Sequence, residues 1–85
     1  NDLMAIGAIL AFQDAGYRVP EDVAVMGYDD IPEARLVRPA LTTIAQDSVD
    51  IGRKLANSLF ERIENPDLPR RFLLSPQTLI KRDSA

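Results

Sequence analysis

The apolar positions of this chain fall into alternating helical and extended spacings. Leu3, Ile6 and Leu10 recur at i, i+3 and i+7 with Ile9 beside them, which predicts a helix over residues 1–15. Asn1 or Asp2 can cap its start, and Gly16 supplies the left-handed position that ends helices. Val19 before Pro20 is predicted extended. The run Val23, Ala24, Val25, Met26 shows no alternation, as expected of a strand covered on both faces in a parallel sheet. Gly27, Tyr28 and two adjacent acids, Asp29 and Asp30, follow it directly.

Beyond the acids, Pro32 suits the first turn of a short helix through about Leu36, capped by Asp30, until Arg38 and Pro39 force an extended path. Residues 41–44 predict a short strand. Asp47 or Ser48 then caps a longer helix whose Gly52, Leu55, Ala56, Leu59, Phe60 and Ile63 form one apolar stripe, the strongest periodicity in the chain. Asn65 and Pro66 stop it, residues 67–71 loop back, and residues 72–74 and 78–80 predict two short strands separated by Pro76. Residues 81–85 read as a frayed polar tail. A helix followed by a buried strand is half of a βαβ unit, so the pattern predicts an α/β fold with a parallel sheet, of which an upstream portion is missing.

Composition narrows the chemistry. With 85 residues, 46% hydrophobic and 27% charged, the chain is one small domain or part of one. A net charge of −3 from 10 basic and 13 acidic residues provides no field for a polyanion, so these residues are not expected to bind DNA themselves. The basic pairs Arg53-Lys54, Arg70-Arg71 and Lys81-Arg82 are scattered and offset by acids, and read as solvated surface. No apolar run is long enough to span a bilayer, and no membrane partner is expected. Neither cysteine nor histidine occurs, which removes thiolate chemistry, Cys/His metal sites and imidazole-based triads. No catalytic residue, metal or cofactor is expected.

What is left is the pair of acids. In open α/β sheets ligands sit in the crevice beyond the carboxyl ends of the strands, and a carboxylate there can accept two or more directed hydrogen bonds from a polyol or nucleobase. Asp29 is the first candidate for ligand contact; Asp30 is the better candidate for capping the following helix. An acid/base pair for glycoside cleavage fits less well, because it needs carboxyl groups roughly 5 to 10 Å apart and neighbours on a turn point in different directions.

The stretches N-D-L-M-A-I-G at residues 1–7, V-P-E-D-V-A-V-M-G-Y-D-D at 19–30, P-A-L-T-T-I-A-Q at 39–46, I-G at 51–52 and L-I-K-R-D-S at 79–84 stand in an order that resembles the effector-binding domain of the lac repressor/galactose repressor family of bacterial transcription regulators. The resemblance covers nearly the whole chain. It implies a portion of a periplasmic-binding-protein-like type I fold, α/β in three layers with a mainly parallel sheet, incomplete here and corresponding to the carboxyl-terminal part of that domain: residues 1–45 in the carboxyl-terminal lobe, 46–75 an element of the other lobe, 76–85 a return strand and tail. The function implied is sensing of a sugar or similar small metabolite, with operator DNA held only by a missing helix-turn-helix headpiece, in the cytoplasm. A fragment of a periplasmic sugar-binding protein is the alternative, disfavoured by the V-P-E-D and P-A-L-T-T-I stretches.

By the same resemblance, Asp29, Asn1 and Gln46 are ligand-contact positions. Asn1 is equally suited to capping its helix, and Gln46 to being a solvated hinge residue. Ser48 departs from relatives with an aromatic there, so no particular sugar preference carries over. A homodimer contact is implied at Ile6, Ile9, Leu10, Leu36 and Val37, some of which a helix packed on a sheet must bury in its own core.

Overall fold

The computed structural model describes all of residues 1–85, which form two units: Asn1–Gln46 with Gln77–Ala85, and Asp47–Pro76.

In the first unit, helix α1 spans Asp2–Asp14, with Asn1 as its N-cap. It ends where Gly16 takes φ 86°, a conformation without steric cost only for glycine. The core joins Ala5 and Ile9 of α1 to Val19, Ala34 and Leu41, with Ile6, Phe12, Val23, Val25 and Val37 packed against it. The face α1 buries is thus Asp2, Ala5 and Ile9, not the predicted stripe through Leu3 and Leu10, which are 69% and 56% exposed. α1 is apolar on nearly every side, so spacing alone could not single out the packed face.

A 3-10 helix covers Pro32–Arg35, Pro at its first position. Strands β1, Thr43–Gln46, and β2, Gln77–Ile80, pair antiparallel, Thr43 opposite Ile80 and Gln46 opposite Gln77. The run 23–26 does not make a continuous strand. Parallel pairing is limited to bridges between Met26 and Thr42 and between Asp29 and Ala45, with the amides of Gly27 and Asp29 donating to Thr42 and Ile44. A hydroxyl breaks the ladder: the Thr42 amide donates to Ser84 Oγ at 2.8 Å, and Ser84 Oγ donates to the Val25 carbonyl at 2.7 Å. Nor is the run covered twice. Val23 and Val25 pack against the core while Met26 is 51% exposed, so part of the run is left to solvent.

The predicted frayed tail is instead built into this unit. Ser84 is fully buried, its amide donates to Ala40, and its carbonyl accepts from Val25.

In the second unit, Asp47 caps helix α2, Ser48–Glu64, by accepting from the Asp50 amide at 2.9 Å, and Asn65 closes it. The Arg62 guanidinium donates to the carbonyls of Leu68 and Pro69, and Arg71 binds Glu61 and the Ser58 carbonyl, which ties the returning segment to the helix. α2 buries no residue fully; Leu55, Leu59, Phe60 and Ile63 are all largely exposed. Residues 72–74 are not a strand, since this unit offers them no strand to pair with, and Phe72 and Leu74 stand in the open. No helix is long and apolar enough to cross a membrane.

Candidate functional site

The first unit bends sharply at the two acids. Asp29 and Asp30 have φ 119° and 55°, rare values for residues with a side chain, and the turn they make separates the paired run from the 3-10 helix. The Asp29 amide is fixed to the Ile44 carbonyl at 2.8 Å. Its side chain is exposed, and Gln46 Nε2 donates to Oδ1 across 3.3 Å, leaving Oδ2 without a protein partner. Two of the three nominated contact positions are therefore brought together: a carboxylate and a carboxamide at the same edge, on the ends of neighbouring parallel segments.

Asn1 is used differently. Its Oδ1 accepts from the Met4 amide at 3.0 Å, which makes it the cap of α1 and commits its acceptor. Its side-chain nitrogen has no protein partner and remains available as a donor.

Asp30 does not cap the 3-10 helix, whose N-cap is Ile31 with no side-chain bond. Its side chain is instead paired with Arg82, whose Nη2 donates to Oδ1 at 2.7 Å, with Arg35 of the 3-10 helix at 3.9 Å from Oδ2. Neither Asp30 nor Arg82 is more than 15% exposed in its side chain.

Below the turn lies a carboxylate that sequence reasoning considered only as a cap. Asp2 is 1% exposed. Its amide donates to the Tyr28 carbonyl at 3.0 Å, its Oδ2 accepts from the Ile31 amide at 2.9 Å, and its Oδ1 accepts from Thr43 Oγ1 at 2.5 Å. Thr43 Oγ1 in turn accepts from the Asp30 amide at 3.4 Å. Gly27 fits only because it lacks a side chain: a Cβ there would meet the Asp2 carboxylate and come within 2.9 Å of Leu41. The signal available in the sequence was an acid at the first position of a helix, which is common for reasons of capping alone.

The nominated dimer positions divide. Ile9 is 1% exposed and belongs to the core of its own unit, so it is withdrawn as an interface residue. Ile6 and Val37 pack against that core and keep only part of their surface. Leu10 and Leu36 stay exposed, at 56% and 74%.

An open groove of about 400 Å³ occurs in the second unit, between Leu55 and Leu59 of α2 and Arg71, Phe72 and Leu73. None of Asn1, Asp29 and Gln46 lines it.

Comparison with known proteins places this geometry. The family described as periplasmic binding protein-like domain matches residues 1–85. The ribose operon repressor of Haemophilus influenzae is 40% identical over 84 residues, covering 99% of this chain and 25% of that protein. The crystal structure of a LacI-type transcription regulator from Bifidobacterium animalis subsp. lactis is 43% identical with a TM-score of 0.83, over 99% of this chain and 30% of that one. The transcriptional regulator CelR in complex with cellobiose is 36% identical with a TM-score of 0.90, over 100% of this chain and 26% of that one. The chain thus spans about a quarter of the length of the curated relatives it matches. Matched over its whole length, this chain belongs to the periplasmic binding protein-like domain family.

Proposed function

We propose that this chain is effector-sensing material of a bacterial transcription regulator of the lac repressor/galactose repressor kind, and that Asp29 with Gln46 contacts a sugar or related small metabolite. The observation that carries the reading is the Asp29 turn: an exposed carboxylate with one oxygen free, held on a fixed backbone beside a carboxamide. Hydroxyl and amine groups donate to such an oxygen with defined direction. The ribose operon repressor and the cellobiose complex of CelR support a sugar as the class of effector. The reading assigns no catalytic step, cofactor or metal to these residues.

In the complete regulator, effector would favour one arrangement of the effector-binding domain, and a homodimer would pass it on to two DNA-binding headpieces on their half-sites. Exposed Leu10 and Leu36 are the contact positions kept for that dimer. Operator binding, through a segment other than this one, puts the protein in the cytoplasm. Within the longer chain we put this segment in the carboxyl-terminal part of the effector-binding domain, on the order of its motifs from Asn1 to Ser84. The sequence of the complete gene decides between that and an amino-terminal position.

The test is a thermal-shift screen of the complete regulator against sugars, followed by the Asp29→Ala variant. A true effector at a hundredfold excess over its dissociation constant adds about 2.7 kcal/mol to stability. The variant should lose that gain and keep operator affinity. A variant that responds like the unaltered protein refutes the site.

A further inference from the structure

We propose that Asp2 is a positioning residue for the effector site, clamping residues 28–31 so that the Asp29 carboxylate is held ready before any ligand arrives. The proposal rests on the effector reading of Asp29 for its purpose, and on geometry alone for the clamp.

Asp2 is buried without being needed as a cap, because Asn1 already caps α1. A carboxylate removed from water is costly unless its oxygens are satisfied, so its partners indicate what it is there to hold. The Ile31 amide donates to Oδ2 just after the acids, while the backbone amide of Asp2 donates to the Tyr28 carbonyl just before them, so side chain and main chain of Asp2 together bracket the turn. Thr43 completes the arrangement: its hydroxyl donates to Asp2 Oδ1 and accepts from the amide of Asp30.

The bracketed residues need such a hold. Positive φ at a residue with a side chain costs on the order of 1–3 kcal/mol, and it persists only where surrounding contacts over-determine it. Asp29 and Asp30 are two such residues in succession. Gly27, at the entrance to the turn, lies so close to the Asp2 carboxylate that any side chain there would have to displace it. The Asp29 side chain contributes almost nothing to the hold, since it bonds only Gln46; the residue is fixed by its amide, which donates to Ile44, and by the contacts that bracket it. A binding carboxylate fixed by groups other than itself is preorganised, and ligand need not supply the ordering.

The experiment uses the complete protein carrying Asp2→Asn, or Thr43→Val as a second probe of the same clamp should the first not fold. Amide hydrogen exchange is followed at Asp30 and Ile31, with Ile9 of the core as reference. Exchange at Asp30 and Ile31 should accelerate about tenfold or more while Ile9 is unchanged. Unchanged protection at the turn, or acceleration shared equally by Ile9, overturns the clamp. Ribose titration by calorimetry adds the functional readout. Affinity should fall about tenfold on Asp2→Asn, and likewise on Thr43→Val, which loosens the same turn without touching the Asp29 carboxylate. Unchanged ribose affinity in a variant whose exchange at the turn is accelerated reduces Asp2 to a purely structural residue. If ribose does not bind the unaltered protein, the ribose form of the effector reading fails, and the exchange comparison still decides the clamp.

Discussion

Arg82 Nη2 stands 2.7 Å from Asp30 Oδ1 and joins residues 52 positions apart in the chain. Each side chain is only 15% exposed, so removing one partner leaves the other charged in a poorly hydrated place. Asp30→Ala or Arg82→Ala should each lower stability by about 3 kcal/mol, and the double variant should cost less than the sum. Urea unfolding of the four proteins measures the difference. Single variants within a few tenths of a kcal/mol of the unaltered protein would show the pair to be solvated in practice.

Gly27→Ala introduces a methyl group where the Asp2 carboxylate and Leu41 already meet. The expected loss is about 1–3 kcal/mol, as for other overpacked positions. The same change should cost less in an Asp2→Ala background, where the nearest obstacle is gone. Equal costs in the two backgrounds would place the conflict at Leu41 instead.

Ser84→Ala takes away the acceptor of the Thr42 amide and the donor of the Val25 carbonyl. Both backbone groups would be left unpaired by protein, which predicts a loss of about 1–3 kcal/mol. Hydrogen exchange at Thr42 should accelerate as well. A silent variant would indicate that water takes the hydroxyl's place.

The Asp22 carboxyl is lowered below its ordinary value chiefly by its side-chain hydrogen bond from Arg18, then by the Arg18 amide. A carboxyl depressed on folding contributes stability that is present above its unfolded pKa, about 3.9, and is lost as pH falls through the folded value. Melting temperatures of Asp22→Asn and the unaltered protein should therefore differ above about pH 4 and converge in stronger acid. The difference should be small and shrink with added salt, because the pair is open to solvent. A gap that widens toward low pH would reverse the sign of the argument.

The exposed apolar side chains of the second unit should make the 85-residue chain self-associate. Leu55, Leu59 and Phe72 lie around one groove and are all more exposed than buried. Sedimentation velocity at micromolar concentration should detect oligomers that Leu59→Asp reduces. A monodisperse monomer before any substitution would contradict this.

Local chemistry made some of this legible in advance and long-range chemistry hid the rest. Asp47 ahead of an apolar stripe announces α2, and Asn65-Pro66 its end, because caps and breakers act within a few residues. Asp29 was marked by its place after an apolar run, and its partnership with Gln46 follows from the pairing of neighbouring segments. The roles of Asp2, Asp30 and Ser84 were not visible. Each is decided by a partner tens of residues away: Ile31 and Thr43 for Asp2, Arg82 for Asp30, Thr42 and Val25 for Ser84. A short polar residue at a chain end or helix start has too many ordinary explanations for its sequence context to reveal a buried one. The strand expected at 23–26 failed for the same reason, since the Ser84 hydroxyl interrupts its ladder from far along the chain.

Gln46 and Gln77 face each other as the last register pair of an antiparallel ribbon, and the chain leaves and re-enters the first unit between them. Excising residues 47–76 and splicing an Asn-Gly dipeptide across the gap would turn that ribbon into an ordinary hairpin. The shortened polypeptide would keep every bond around Asp2, Asp29 and Asp30, and offers a minimal scaffold on which this corner can be studied without α2.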